Sequence, residues 1–154
     1  MIRDDGSLLV CNAHKTDSRL SVFSACAADG SRSYVSDFAT THLAHPYGLA
    51  IGLDAAKGDE VVWASNQNTC DVVQFSGKSG VFQSQVGQLG TDEIRSIAYD
   101  NVTAVLYVAD KDQNAVLAYN TKTATWGQLR RLHFARRRGS HSWGGALAVR
   151  GCCC

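Results

Sequence analysis

Asp110, Asp112 and Asn114 alternate through the stretch "DKDQN". An EF-hand loop begins the same way, because side-chain oxygens at alternate positions converge on calcium. Such a loop also needs glycine at its sixth position and glutamate at its twelfth. Here those places hold Ala115 and Thr121. A calcium site at Asp110 and Asp112 would therefore draw its other ligands from elsewhere in the chain. The competing reading is a turn, since Asp and Asn side chains bond nearby backbone amides and tolerate left-handed dihedrals. On that reading Asp110 ends a strand and Lys111 to Asn114 reverse it.

His42 and His45 raise the same question for zinc. They lie in "THLAHPYG", and a His-x-x-His spacing supplies two of the four ligands that a zinc site takes. No histidine recurs at the corresponding places of later segments, which hold Glu93 and Trp143. Calcium and zinc are the metals these residues bring into question, and no cofactor is predicted. Nucleophilic chemistry has less support. The chain has no Gly-x-Ser-x-Gly elbow and no phosphate-cradling glycine loop. "GSHSWGG", residues 139–145, reads as a glycine-rich loop. The expectation is a protein without catalysis.

Charge is unevenly placed. The net charge is +1, yet all 14 acids precede residue 113. From Leu129 onward stand Arg130, Arg131, Arg136, Arg137, Arg138 and Arg150 with no acid, so the tail carries +6 and the rest 9 − 14 = −5. Three readings of this basic patch stay open. It is a solvated loop, a contact for nucleic acid or an anionic membrane, or a truncated or mistranslated end. The terminal "GCCC" bears on the membrane reading, since a lipidated cysteine beside basic residues anchors a chain. It is not a Cys-a-a-X box.

The elements that position these residues repeat. "LLVCNAHKTDSRLSVF" (Leu8–Phe23), "VVWASNQNTCDVVQF" (Val61–Phe75) and "VLYVADKDQNAVLAY" (Val105–Tyr119) each pass from an apolar cluster through a polar turn to an alternating run. That run ends in an aromatic, and the whole pattern reads as a β-hairpin. Trp63 to Phe75 and Tyr107 to Tyr119 both span 12 residues, and Val10 to Phe23 spans 13. A small-apolar strand precedes two of the hairpins, in "HPYGLAIGLD" and "IRSIAYD", with Ala50 and Ala98 48 residues apart. "ALAV", residues 146–149, starts the pattern once more. "SGVFQSQVGQL" and "TATWGQLRRLHF" are candidates for outer strands. Four short strands in roughly 45–50 residues is the signature of a β-propeller blade. No 3.6-residue apolar period occurs. The fold class is all-β, an incomplete propeller of four-stranded antiparallel blades. Its three blades are expected at 1–44, 45–92 and 93–128, with 129–154 as a basic tail that begins a fourth.

The composition fits a folded domain. Of 154 residues, 45% are hydrophobic and 19% charged, which is globular and not disordered. With one proline, turns fall mainly to the 14 glycines and to Asn and Asp. The six cysteines show no regular disulfide spacing. Cys11, Cys26 and Cys70 are expected as thiols, with a Cys11–Cys26 bridge only if two strands set them side by side. The start is charged and no run of 18 apolar residues exists, which favours a cytoplasmic setting.

Residues 45–120 resemble NHL-type repeats, and residues 8–44 do so more loosely. The resemblance rests on a Pro/Gly-containing first strand, an apolar-aromatic-Val-Ala-Asp strand, a turn with Asn and a Val-centred strand. It places Ser65 where the family has Asp, the position that Asp110 fills in the next repeat. It implies a propeller fold, which hosts binding modules and enzymes alike.

Closed propellers take about 4–8 blades, and this chain holds about three. Two apolar blade faces would be left open, and such faces are normally covered. The residues before Leu8 are too few to supply the missing strand of the first blade, which favours a fragment of a longer protein. Pairing of two chains into a homodimer through the open faces is the other solution. The functional expectation is a non-catalytic scaffold that binds a protein partner. The alternative is a piece of a metal-dependent lyase or lactonase with its site in the central channel.

Overall fold

The computed structural model describes residues 1–14, 16–86 and 93–129. Eleven strands among them form three antiparallel sheets. The first holds β1 (Leu8–Asn12), β2 (Arg19–Phe23) and β3 (Tyr34–Ala39). The second holds β4 (Pro46–Leu53), β5 (Glu60–Asn66), β6 (Asp71–Ser76) and β7 (Phe82–Val86). The third holds β8 (Ile94–Asp100), β9 (Val105–Asp110), β10 (Ala115–Asn120) and β11 (Thr125–Leu129). Within each sheet neighbours in sequence are neighbours in space. No helix among the described residues is long and apolar enough to cross a membrane.

Strand chemistry explains the sheets. Val, Ile, Phe, Tyr and Trp recur in each of β4–β6 and β8–β10, and such side chains pack well on a pleated surface. Asx turns close several hairpins. Asp54 accepts the Ala56 and Lys57 amides at 2.9 and 2.8 Å. Asp100 accepts the Val102 amide at 2.9 Å, and Asn120 accepts the Lys122 amide at 3.0 Å. These hairpins hold Gly58, Ala104 and Ala124 in left-handed conformations, which an Asx turn helps to set.

The sheets stack face to face, and alternation along β5 shows how. Val61 and Trp63 pack with Ile94, Ile97, Leu106, Val108 and Leu117 of the third sheet. Val62 and Ala64, one residue out of phase, pack with Leu9, Leu20 and Ala39 of the first. A strand buried on both faces loses its apolar–polar alternation, and β5 is buried from Val61 to Asn66. β9 is covered on one face only. Its buried Leu106, Val108 and Asp110 alternate with half-buried Val105, Tyr107 and Ala109.

The inner strands β4 and β8 share an irregularity. Pairing of β4 with β5 shifts between Pro46 and Leu49, and pairing of β8 with β9 shifts between Ile94 and Ile97. The same bulge thus recurs 48 residues later. Gly48 sits in the first one, where a Cβ would lie 2.9 Å from the Ile97 amide nitrogen and the Ser96 Cα. Only glycine lets the two backbones approach so closely.

Pleat parity corrects the alignment of the first hairpin. Phe23 pairs with Leu8, Phe75 with Val62 and Tyr119 with Leu106. Leu9, not Val10, is therefore the counterpart of Trp63 and Tyr107. The first copy is two residues longer than the others (Leu9 to Phe23 is 14, against 12), and its turn spans 13–18 where the others span 67–70 and 111–114. An insertion of one residue would turn every following side chain to the wrong face. The same register corrects the comparison of Ser65 with Asp110. Asp110 pairs with Ile94 and Ala115, as Asn66 pairs with Pro46 and Asp71, so Asn66 is its counterpart and Ser65 matches Ala109.

The residues before Leu8 also do more than the sequence suggests. Ile2 bridges Leu8, and the Leu9 amide donates to the Met1 carbonyl at 2.8 Å. A short stub therefore lies along the β1 edge that matches the β4 and β8 positions.

Candidate functional site

The predicted ligand residues fall in two separate loops. Asp110 ends β9 and is buried, with Oδ1 accepting the Gln113 amide at 2.9 Å. Asn114 takes a φ of 51° at the last turn position, as Cys70 does in the sister hairpin. Asp112 is exposed on that turn. Asn66 holds a wider network at the matching place. Its Nδ2 donates to the His42 carbonyl and to Asp71 Oδ1, each at 2.9 Å, and its Oδ1 accepts the Ala44 amide at 3.0 Å.

His42 and His45 lie between β3 and β4, both with left-handed backbones. The His42 ring stacks on Phe82 with centroids 3.8 Å apart. The His45 amide donates to Ser18 Oγ at 3.1 Å. Among the described residues, no three His, Cys, Asp or Glu side chains gather as a metal would require. Arg130, Arg131, Arg136, Arg137 and Arg138 lie outside the described residues, as do Cys152, Cys153 and Cys154.

Cys11 and Cys26 are free thiols, and Cys70 Sγ donates to the Gln67 carbonyl at 3.3 Å. Cys11 faces Leu20 across the β1–β2 pair, and Cys26 lies beyond β2. Burial pushes the Cys11 thiol up to about 11, the opposite of what a nucleophilic cysteine needs.

Sequence reasoning missed one polar cluster, at the start of β8. Glu93 accepts from Arg95, from Lys111 Nζ at 2.6 Å and from Gln67 Nε2 at 3.2 Å. The Arg95 guanidinium also lies 4.7 Å from the Tyr47 ring centroid. One carboxylate faces two cations here, and the cluster ties the turn after β5 to the third sheet. The signal was faint, since the four polar residues are scattered over 45 positions and only the bulged strands bring them together.

Among the described residues, two sheet faces have no partner sheet. Ala98, Tyr107 and Ala118 form one row across β8, β9 and β10. The same row in the second sheet is Ala50, Trp63 and Gln74. There Ala50 and Trp63 are 2% and 3% exposed, because the third sheet covers them. Tyr107 is half-buried and Ala98 exposed. Val105 and Val116 likewise repeat Val61 and Val72 at half-buried positions. At the opposite end Leu8, Val10 and Phe23 are half-buried where Val62, Ala64 and Phe75 are covered by the first sheet. This end is more polar. Ser21 replaces Val73 and donates to Asp37 Oδ1 at 3.0 Å, and Arg19 pairs with Asp37 at 2.9 Å.

No protein-family profile matches the chain, and no curated protein matches it. Solved structures do. One is a chain of a nidogen/laminin complex, 15% identical, with a TM-score of 0.56 over 79% of this chain and 41% of that one. Another is a protein from Lactobacillus plantarum, 15% identical, with a TM-score of 0.54 over 83% of this chain and 39% of that one. The chain spans about two fifths of the length of each. Taken with the three stacked antiparallel sheets, the likeness shows an incomplete β-propeller.

Proposed function

We propose that this chain is an NHL-type propeller segment that acts without catalysis, as a scaffold that binds protein through its open blade faces. The third blade's outer face carries the reading. It repeats, position for position in Ala98, Val105, Tyr107 and Val116, the face with which the second blade binds the third, with Tyr107 in the place of Trp63. A surface of that kind fits another propeller blade.

The partner proposed is a second copy of the chain. One chain presents both halves of a blade–blade contact, the following face on its third blade and the preceding face on its first. Two copies arranged head to tail cover both at once, and twice three blades falls within the range of closed propellers, about 4–8. The complex of nidogen with laminin is consistent with a binding role for the fold.

Light scattering after size-exclusion chromatography tests this. The expected mass is twice 16.6 kDa, returning to a single chain in Tyr107→Glu. A well-folded monomer at all concentrations overturns the second copy as partner. Stoichiometric calcium or zinc in purified protein would favour the metal-dependent enzyme instead.

A further inference from the structure

A groove of about 330 Å³ runs beside β1, lined by Met1, Leu9, Val10, Cys11, Tyr47 and Leu49. In the other two sheets the matching edge is taken by an inner strand, β4 beside β5 and β8 beside β9. The first blade has only the stub there. The Met1 ammonium donates to the Leu9 carbonyl at 2.8 Å, returning the bond from the Leu9 amide, and Ile2 bridges Leu8. Alternate residues of a strand send their backbone groups to the same edge. The Cys11 amide and carbonyl therefore face the groove, and no described residue pairs with them on that side. Asn12 marks the same gap. Its counterpart Asn66 is 2% exposed and bonds to the loop entering β4, through the Ala44 amide and the His42 carbonyl. Asn12 is exposed. A strand edge left open in this way is a template for another strand.

The chain carries a segment of the matching pattern. Leu49, Ala50 and Ile51 lie in the paired stretch of β4, and Ile97, Ala98 and Tyr99 lie in that of β8. Leu147, Ala148 and Val149 repeat them. At each described join the chain leaves the outer strand of one blade and enters the inner strand of the next, through residues 40–45 after β3 and 87–93 after β7. Residues 130–143 after β11 are a longer link than either. Followed the same way, that link leads to the inner edge of whichever blade sits on the open face of the third. In the head-to-tail pair, that is the first blade of the second copy.

We propose that residues 144–149 of each copy add to the edge of β1 in the other, as the inner strand of its first blade. This rests on the paired reading above and names the segment that locks the pair. Leu147 lies opposite Val10, as Leu49 lies opposite Ala64 and Ile97 opposite Val108. Ala148 lies opposite Leu9, as Ala50 lies opposite Trp63 and Ala98 opposite Tyr107. It displaces Met1 and replaces the two bonds of the stub one for one. The added strand also covers the Cys11 edge and fills the groove against Tyr47 and Leu49.

Two single-cysteine chains test this. Both carry serine at the six native cysteines. One adds Val10→Cys and the other Leu147→Cys. A cross-strand pair of this kind sets its Cα atoms about 4.5 Å apart, within disulfide reach of about 4.4–6.8 Å. Mixed and oxidised with glutathione disulfide, the two chains should become a covalent pair joined between positions 10 and 147. Val10→Cys mixed with Thr123→Cys, on an exposed turn, should give none. Light scattering on the same mixtures separates the ways to fail. A dimer without the disulfide overturns the strand exchange and leaves the paired blade faces standing. A monomer overturns both. A chain carrying Val10→Cys and Leu147→Cys together that closes on itself at monomer mass overturns the second copy as the donor. Leu147→Asp in the otherwise native chain repeats the test should the serine background fail to fold. The pair should then dissociate about tenfold more readily, and unchanged dissociation overturns the proposal.

Discussion

The Ser65 hydroxyl donates to the Arg95 carbonyl at 2.6 Å, across the join between the second and third blades. The same oxygen accepts the Gly48 amide at 2.8 Å. One fully buried side chain thus satisfies two backbone groups beside the close approach of Gly48 to Ser96 and Ile97. Ser65→Ala should cost about 2 kcal/mol, because both groups lose a partner away from water. Chemical denaturation measures it. Ser65→Ala at wild-type stability would mean that the join does not depend on this bridge.

Trp63 and Tyr107 occupy the same place in successive blades but differ in cover. Trp63→Ala should cost about 3–5 kcal/mol of folding stability. Tyr107→Ala should cost about 1 kcal/mol in a single chain and should weaken self-association instead. Denaturation at low and high protein concentration separates the two effects. Equal folding costs at low concentration would mean that Tyr107 is already covered.

Acid should loosen the Asx turns. Amides hold the Asp54 carboxyl below its ordinary 3.8, the Lys57 amide most strongly. The Thr103 hydroxyl and the Val102 amide do the same for Asp100. Both pKa values are lower folded than unfolded, so the stabilisation is complete above about pH 4 and disappears as pH falls through the folded values. The thermal midpoint should fall below about pH 4, and less steeply in Asp54→Asn, whose amide oxygen still caps the turn. A midpoint equally steep in both proteins would remove Asp54 from the account.

Asp110→Ala tests the turn against the calcium loop. Loss of the bond to the Gln113 amide should destabilise the chain by about 1 kcal/mol and leave its calcium content unchanged. A calorimetric calcium signal present in the wild type and absent in the variant would restore the metal reading.

Of the three thiols among the described residues, Cys26 and Cys11 should react in order of exposure. Cys26 is exposed and should be alkylated first. Cys11, whose burial holds it protonated to about 11, should be last and should accelerate only in strong alkali. Mass mapping of partly alkylated protein reads the order, and early labelling at Cys11 would contradict its burial.

Local pattern was enough for the strands. Period-two alternation, Asx turn residues and the 48-residue echo of Ala50 in Ala98 mark an all-β repeat, because pleat and turn chemistry are written over a few neighbouring residues. Register was not legible. Placing Leu9 rather than Val10 opposite the Trp63 position needed the pairing of Phe23 with Leu8, and a turn two residues longer looks in sequence much like one that is one longer. The sequence likewise named His42, His45, Asp110 and Asp112 by residue type, but type alone does not bring side chains together. The bulge at Gly48 and the Ser65 bridge join residues far apart in sequence, 17 positions for Gly48 and Ser65 and 30 for Ser65 and Arg95, and the Glu93 cluster reaches from Gln67 to Lys111. Only the stacking of one blade on the next decides which of them meet, because burial and unpaired donors are properties of the space between sheets and not of any one strand.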